Sequence, residues 1–267
     1  MANVAAEYDS YHSVPALEWV GAAVFGDAYL KQKSSVWPRD VLDAARSLGA
    51  GHGCRVLDAG CGNGWASTLL ARELGAQCTG WDLSPANIAE ARELAGGVAG
   101  CCFEVRDMAD SDGYDRSFDL ILSIGSLYWA TDPARVAVAW NTMLRPGGSV
   151  LTLITHTDDP AGIAEMLPGT SAAAAATDWP ALFEGHGLRV TTADRTDRFA
   201  GWLDAWLVAL HDHEAAVVAE MGAEGYAAFE RRFSSMRRGI GEGSLRRLEV
   251  RALADRPTTA RGDRCTA

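Results

Sequence analysis

Three aspartates, Asp58, Asp82 and Asp107, each close a short apolar run, and the first is followed by glycine at positions 60, 62 and 64. A carboxylate set just before a glycine turn repels a pyrophosphate but attracts an ammonium group. A second carboxylate at the end of the next strand, 18 residues beyond Gly64, can accept two hydrogen bonds from ribose hydroxyls. After the third comes Met108: the acid can accept from the exocyclic amine of an adenine while the methionine packs on the ring. Glycines in the turn allow positive φ and let a ligand approach main chain without meeting Cβ atoms. Together the three acids describe a nucleoside that also carries an ammonium. Candidate proton acceptors are Tyr128, His156, Tyr11 and His12. A phenol, alcohol or carbon acid needs such a group within about 3 Å of its proton, whereas a neutral amine does not.

These residues need elements to hold them. Arg55 to Trp65 reads as a buried strand, a glycine turn and a helix N-terminus, the helix continuing through Ser67–Glu73. Gln77–Trp81 is the second strand, closed by Asp82, and Ser84 caps a helix over Ala86–Leu94 with Pro85 in its first turn. Cys102–Val105 is the third strand. Ser117–Ser123 is the fourth, nearly continuous in apolar residues as a central parallel strand should be. Asp132-Pro133 starts a helix over Ala134–Leu144, and Arg145-Pro146-Gly147-Gly148 turns into a fifth strand, Ser149–Thr155. Ahead of this core, Val14–Phe25 and Asp40–Leu48 read as helices. Beyond it, Trp179–His186 reads as a helix, Gly187–Ala193 as a strand, Trp202–Glu220 and Glu224–Arg238 as helices, and Leu245–Leu253 as the last strand.

The run VLDAGCGNG has the spacing D-x-G-x-G-x-G rather than the G-x-G-x-x-G of a dinucleotide site, which disfavours a nicotinamide oxidoreductase. It resembles the class I S-adenosylmethionine (SAM) methyltransferases at every defining position, and FDLI…LRPGGSVL resembles them again. These motifs cover residues 55 to 155. The resemblance implies an α/β fold: a Rossmann-like, doubly wound, seven-stranded, mostly parallel sheet with N-terminal helices and a helical cap inserted before the last strand. It implies SAM as cofactor, with Asp58 holding the methionine ammonium directly or through water, Asp82 the ribose and Asp107 the adenine. Gly60, Cys61, Gly62, Leu83, Met108 and Ser123 complete the expected cofactor set. Tyr128 and His156 fall on the cofactor rim, and Tyr11 joins them as a candidate catalytic residue. The inserted helices and the opening Tyr11…Trp19…Phe25-Gly26-Asp27-Ala28-Tyr29-Leu30 are similar to phosphoethanolamine and small-amine methyltransferases. Lys31 replaces the serine of that opening, and Gly125 and Trp129 stand where those enzymes carry an aspartate and a histidine.

Composition bounds the partners. With 267 residues and 48% hydrophobic content the chain can form one α/β domain with an appended lid. The expected division is lid helices over 1–50, a SAM-binding core over 51–200, a substrate cap over 201–240, the last strand over 241–255 and a disordered tail from 256. A net charge of −11 argues against a nucleic-acid partner. From residue 225 on, ten arginines meet five acids, a local +5 that suits either solvated faces or a wall facing an anionic substrate. No apolar run approaches a membrane span and no signal segment is visible, so a cytoplasmic chain with reduced thiols is expected. Trp129, Trp202 and Trp206 could line an apolar or cation–π pocket, although i, i+4 tryptophans also suit a core. His211 and His213 do not share a helix face, and no metal is expected. The expected activity is in-line methyl transfer to nitrogen, carbon or oxygen of a small molecule, by a monomer or homodimer. The Ala-, Gly- and Arg-rich composition suggests a high-GC bacterium, and the expected setting is natural-product (antibiotic) biosynthesis. Two alternatives stay open: a cyclisation or elimination that uses SAM without methyl transfer, and a non-catalytic SAM-binding module.

Overall fold

The computed structural model describes residues 14–157, 163 and 169–255. Helices α1 (Ala16–Phe25) and α2 (Pro38–Ser47) precede a seven-stranded sheet in the order β3-β2-β1-β4-β5-β7-β6. Its strands are β1 (Arg55–Ala59), β2 (Gln77–Asp82), β3 (Cys101–Val105), β4 (Phe118–Ile124), β5 (Leu144–Thr157), β6 (Leu188–Asp194) and β7 (Leu245–Ala254). Helices α3 (Trp65–Leu74), α4 (Pro85–Ala95) and α5 (Pro133–Met143) connect the parallel strands. Short α6 (Ala172–Ala175) and α7 (Trp179–Gly185) lead to β6, and long α8 (Thr196–Asp212) and α9 (Glu214–Gly241) lie between β6 and β7. Strands β1 to β5 pair in parallel and β7 runs antiparallel to both neighbours, so the expected doubly wound, mostly parallel sheet is the one found.

The central strands form because they bury both faces. Val56, Leu57, Leu120, Ile121 and Leu122 are all at most 1% exposed. One face packs Trp81, Phe118, Trp140 and Phe183, the other Val41, Trp65, Leu70 and Leu151. Helix starts follow local chemistry: Ser84 Oγ accepts from Asn87 N at 3.2 Å ahead of Pro85, and Asp132 Oδ1 accepts from Arg135 N at 3.0 Å. Gly75 ends α3 in the left-handed region at φ 67°.

Two boundaries differ from the sequence reading. The Arg145–Gly148 stretch is not a separate turn before the strand. Pairing with β4 jumps from Phe118–Leu144 to Leu120–Ser149, so the strand absorbs those residues as an irregularity. The break between the cap helices comes at His213 rather than at 221–223. Gly222, at φ 77° and ψ 162°, is instead a kink inside α9. Cys101 is half-buried and Cys102 exposed along β3, both as free thiols. Residues 1–12 and the tail from Pro257 lie outside the described residues.

Candidate functional site

The sheet order places Asp58 and Asp82 on the neighbouring strands β1 and β2 and Asp107 two residues past the end of β3, next to β2. Asp82 ends β2, with Oδ2 accepting from Gly62 N at 2.9 Å and Oδ1 from Ser84 N at 2.9 Å and Asn87 Nδ2 at 3.2 Å. Three donors therefore fix a carboxylate that also faces a cavity of about 340 Å³. Asp107 lines the same cavity with Leu83 and Met108, and its Oδ1 accepts from Ala109 N at 2.8 Å. Trp140 Nε1 donates to Met108 O at 2.9 Å, which pins the segment carrying both residues.

Asp58 lies behind the glycine turn and does not line the cavity. It is 2% exposed, and its Oδ2 accepts from Ser67 Oγ at 2.8 Å. Burial pushes its carboxyl up to about 6; the Ser67 hydrogen bonds oppose this, and the charge of Asp82 adds to it. The turn itself is shaped for close approach. Gly60 lines the cavity at φ 76°, and a Cβ there would sit 2.4 Å from Ser126 Cβ. Ser126 Oγ is held in turn by Ala59 O at 2.7 Å and by Ser123 Oγ at 2.6 Å. Ser126 rather than Ser123 reaches the cavity, and Cys61 and Gly62 also stay behind it. A cavity-facing carboxylate, an acid–methionine pair and a floor that excludes a side chain fit the adenosine half of SAM.

Over the opening runs a strap that the sequence reading did not resolve. Asn63 Nδ2 donates to Lys31 O at 2.8 Å and to Glu90 Oε1 at 3.1 Å, and Lys33 Nζ reaches Glu90 Oε2 at 2.5 Å. Tyr29 follows the short 3₁₀ turn Gly26–Ala28 and packs where a Cβ on Gly21 would fall 2.6 Å from its ring. Burial, with Glu18 and Glu90 nearby, pushes the Tyr29 phenol up to about 12, so this cavity hydroxyl stays protonated. The only hint in sequence was the FG-x-x-Y segment, which carries no charge pattern of its own.

The far wall is aromatic. Trp202 and Trp206 stack at 5.1 Å and line the cavity with Phe199, Phe229 and Phe233, and Trp129 lines it from the other side. Tyr128 follows β4, as expected, and also lines the cavity. Its hydroxyl donates to Thr155 Oγ1 at 2.9 Å and accepts from Thr155 N and from Arg247 Nη1, the latter at 3.0 Å. His156 sits opposite Arg246 in the β5–β7 ladder and is not among the cavity residues, whereas Tyr11 and His12 lie outside the described residues. His211 and His213 diverge, toward Glu230 and Trp19, and among the described residues no group could hold a metal ion. None of the described helices is long and apolar enough to cross a membrane.

Comparison with known proteins follows this geometry. Residues 56–148 match the family model described as a methyltransferase domain. A ubiquinone biosynthesis O-methyltransferase from Alkalilimnicola ehrlichii is 37% identical over 111 residues, 40% of this chain and 44% of that protein. The chloroplastic tocopherol O-methyltransferase of Arabidopsis thaliana is 34% identical over 36% of this chain and 29% of its own. The chain thus spans less than half the length of these two curated relatives. Among solved structures, phosphoethanolamine N-methyltransferase 2 of Haemonchus contortus, in complex with SAM, superposes with a TM-score of 0.75 at 20% identity. That match covers 90% of this chain and 57% of that one.

Proposed function

From a class I methyltransferase domain in which Asp82, Asp107 and Met108 line one cavity with an aromatic wall, we propose a SAM-dependent transfer of a methyl group to a small-molecule acceptor. When bound, SAM supplies an electrophilic methyl on a sulfonium, and in-line displacement then needs alignment more than covalent help. The residues divide the work. Asp82 holds the ribose hydroxyls, Asp107 and Met108 the adenine, and Asp58 sets a negative potential behind the turn for the ammonium. Trp202, Trp206, Phe229 and Phe233 exclude water and orient the acceptor. The observation that carries the reading is the Asp82 carboxylate, held by three donors and still open to the cavity.

The acceptor is an amine in this reading. Among the described cavity residues there is no histidine, Tyr29 is held protonated, the Tyr128 hydroxyl is already bonded three ways, and the carboxylates of Glu18, Glu90 and Asp132 are engaged by Lys31, by Lys33 with Asn63, and by Arg135 N. An amine that arrives neutral needs no base, whereas a phenol or carbon acid does. Tyr128 is then a positioning residue rather than a base. The Ala-, Gly- and Arg-rich composition supports a high-GC bacterial source, and a setting in specialised metabolism is part of this proposal.

Calorimetric titration with SAM, S-adenosylhomocysteine (SAH) and NAD tests the cofactor. Micromolar binding of both sulfur ligands with no response to NAD is expected. Asp82→Ala should weaken them about ten- to a hundred-fold, the range for losing charge-assisted hydrogen bonds. Silence toward both sulfur ligands sinks the reading. SAM binding with turnover to a product of unchanged mass would instead favour chemistry without methyl transfer.

A further inference from the structure

Arg247, on β7, is 7% exposed, lines the cavity and is surrounded by neutral oxygens. Its Nη1 donates to Tyr128 Oη at 3.0 Å and to Thr155 Oγ1 at 3.1 Å, its Nη2 donates to Ser35 Oγ, and its guanidinium carbon lies 4.3 Å from the centre of the Phe199 ring. Among the described residues no carboxylate pairs with it. The nearest acid along its strand, Glu249, is already shared by Arg195 at 2.9 Å and Arg251 at 2.5 Å. Two arginines thus share the glutamate of this corner, and Arg247 is not among its partners. A guanidinium does not shed its proton, so burial cannot be relieved by neutralisation as it can for lysine. An uncompensated buried charge is costly, and the usual remedy is a partner of opposite sign.

Among the described residues, the hydroxyl bonds use three of the five N–H groups and leave the one on Nε and one on Nη2 without acceptors. Nε with Nη2 is the pair of donors by which an arginine meets a carboxylate along one edge, as Arg198 does with Asp40 in this chain. Glu18, Asp82, Glu90, Asp107 and Asp132 line the cavity together with Lys31, Lys33, Arg106, Arg135 and Arg232, so their formal charges balance and Arg247 leaves a single positive charge to be met.

We propose that Arg247 is the receptor for a single carboxylate carried by the acceptor substrate, whose apolar body lies against Trp202, Trp206 and Phe233. Tyr128 and Thr155 hold the guanidinium in place from the opposite side. This deepens the methyltransferase reading and rests on it for the word acceptor; the anion receptor itself does not depend on SAM.

The test compares matched acid and amide probes at fixed ionic strength: acetate with acetamide, benzoate with benzamide, and indole-3-acetate with indole-3-acetamide. Binding is read from tryptophan fluorescence and from calorimetry. At least one acid is expected to bind about ten- to a hundred-fold more tightly than its amide. Arg247→Gln should remove that preference while leaving SAH affinity unchanged, and Arg247→Lys should restore only part of it. The proposal is overturned by the absence of acid preference in every pair, or by its survival in Arg247→Gln. Tighter binding of phenyl phosphate than of benzoate would overturn the choice of carboxylate. If Arg247→Gln does not fold, the acid–amide comparison on the unaltered protein still decides. Acid preference without SAH binding would defeat the methyltransferase reading and leave the receptor standing; SAH binding without acid preference would do the reverse.

Discussion

Asp58 carries a cost that pH exposes. Its folded-state carboxyl titrates at about 6, above the ordinary 3.8, because burial disfavours the anion. The folded protein therefore holds this proton more tightly than the unfolded chain. Stability contributed here is present below about pH 4 and is lost as pH rises through about 6. The displacement corresponds to about 2–3 kcal/mol at most. Urea unfolding between pH 5 and 7.5 is expected to show that decline, and Asp58→Asn to flatten it. An ammonium near the turn favours the ionised form, so SAH affinity should rise with pH through the same window and lose that rise in Asp58→Asn. A pH-independent affinity in the unaltered protein would remove Asp58 from cofactor recognition.

At the level of elements, the glycine turn serves packing as much as ligand approach. Gly64 starts α3 at φ 72°, and a Cβ there would lie 2.6 Å from Phe103 and 2.9 Å from Ala91. Gly64→Ala should cost about 2–4 kcal/mol, combining left-handed strain with overpacking. Gly96→Ala, at φ 52° and ψ 34° with no atom nearer than 3.6 Å to the added Cβ, should cost only about 1–2 kcal/mol. Equal losses in urea titrations would assign the whole effect to backbone strain. This stretch was legible because strand, turn and helix signals coincide over a few residues and each acid sits at a strand end. Arg247 was not legible. In LRRLEVRAL it alternates with apolar residues and shares a face with Glu249 and Arg251, the pattern of a solvated sheet face. Its burial comes from pairing with β5, opposite Thr155, over 90 residues away in sequence. The strap went unread for a related reason: its anchors, Asn63 and Glu90, lie far along the chain.

On the scale of the molecule, the cavity is closed by segments from opposite ends of the described chain. Helix α1 packs on α8 and α9 through Val20, Leu210, Val217 and Phe229, and Ala16 N donates to Glu220 Oε2 at 3.0 Å. These satellite clusters are separate from the two that flank the sheet, so the cap can loosen without unfolding the core. Hydrogen exchange with and without SAH should show protection gained over Lys31–Val36 and α1, with α5 and β4 unchanged. Uniform protection across the chain would mean that cap and core open as one unit. The sheet order carries a consequence for synthesis. Among the described residues strand β6 pairs only with β7, and β7 is made some fifty residues later, after α8 and α9. As the chain leaves the ribosome, β5 therefore stays a bare edge and β6 an unpaired ribbon resting on α7. The last strand then fills the gap between them, and until it does there is neither a continuous seven-stranded sheet nor Arg247 in the cavity wall.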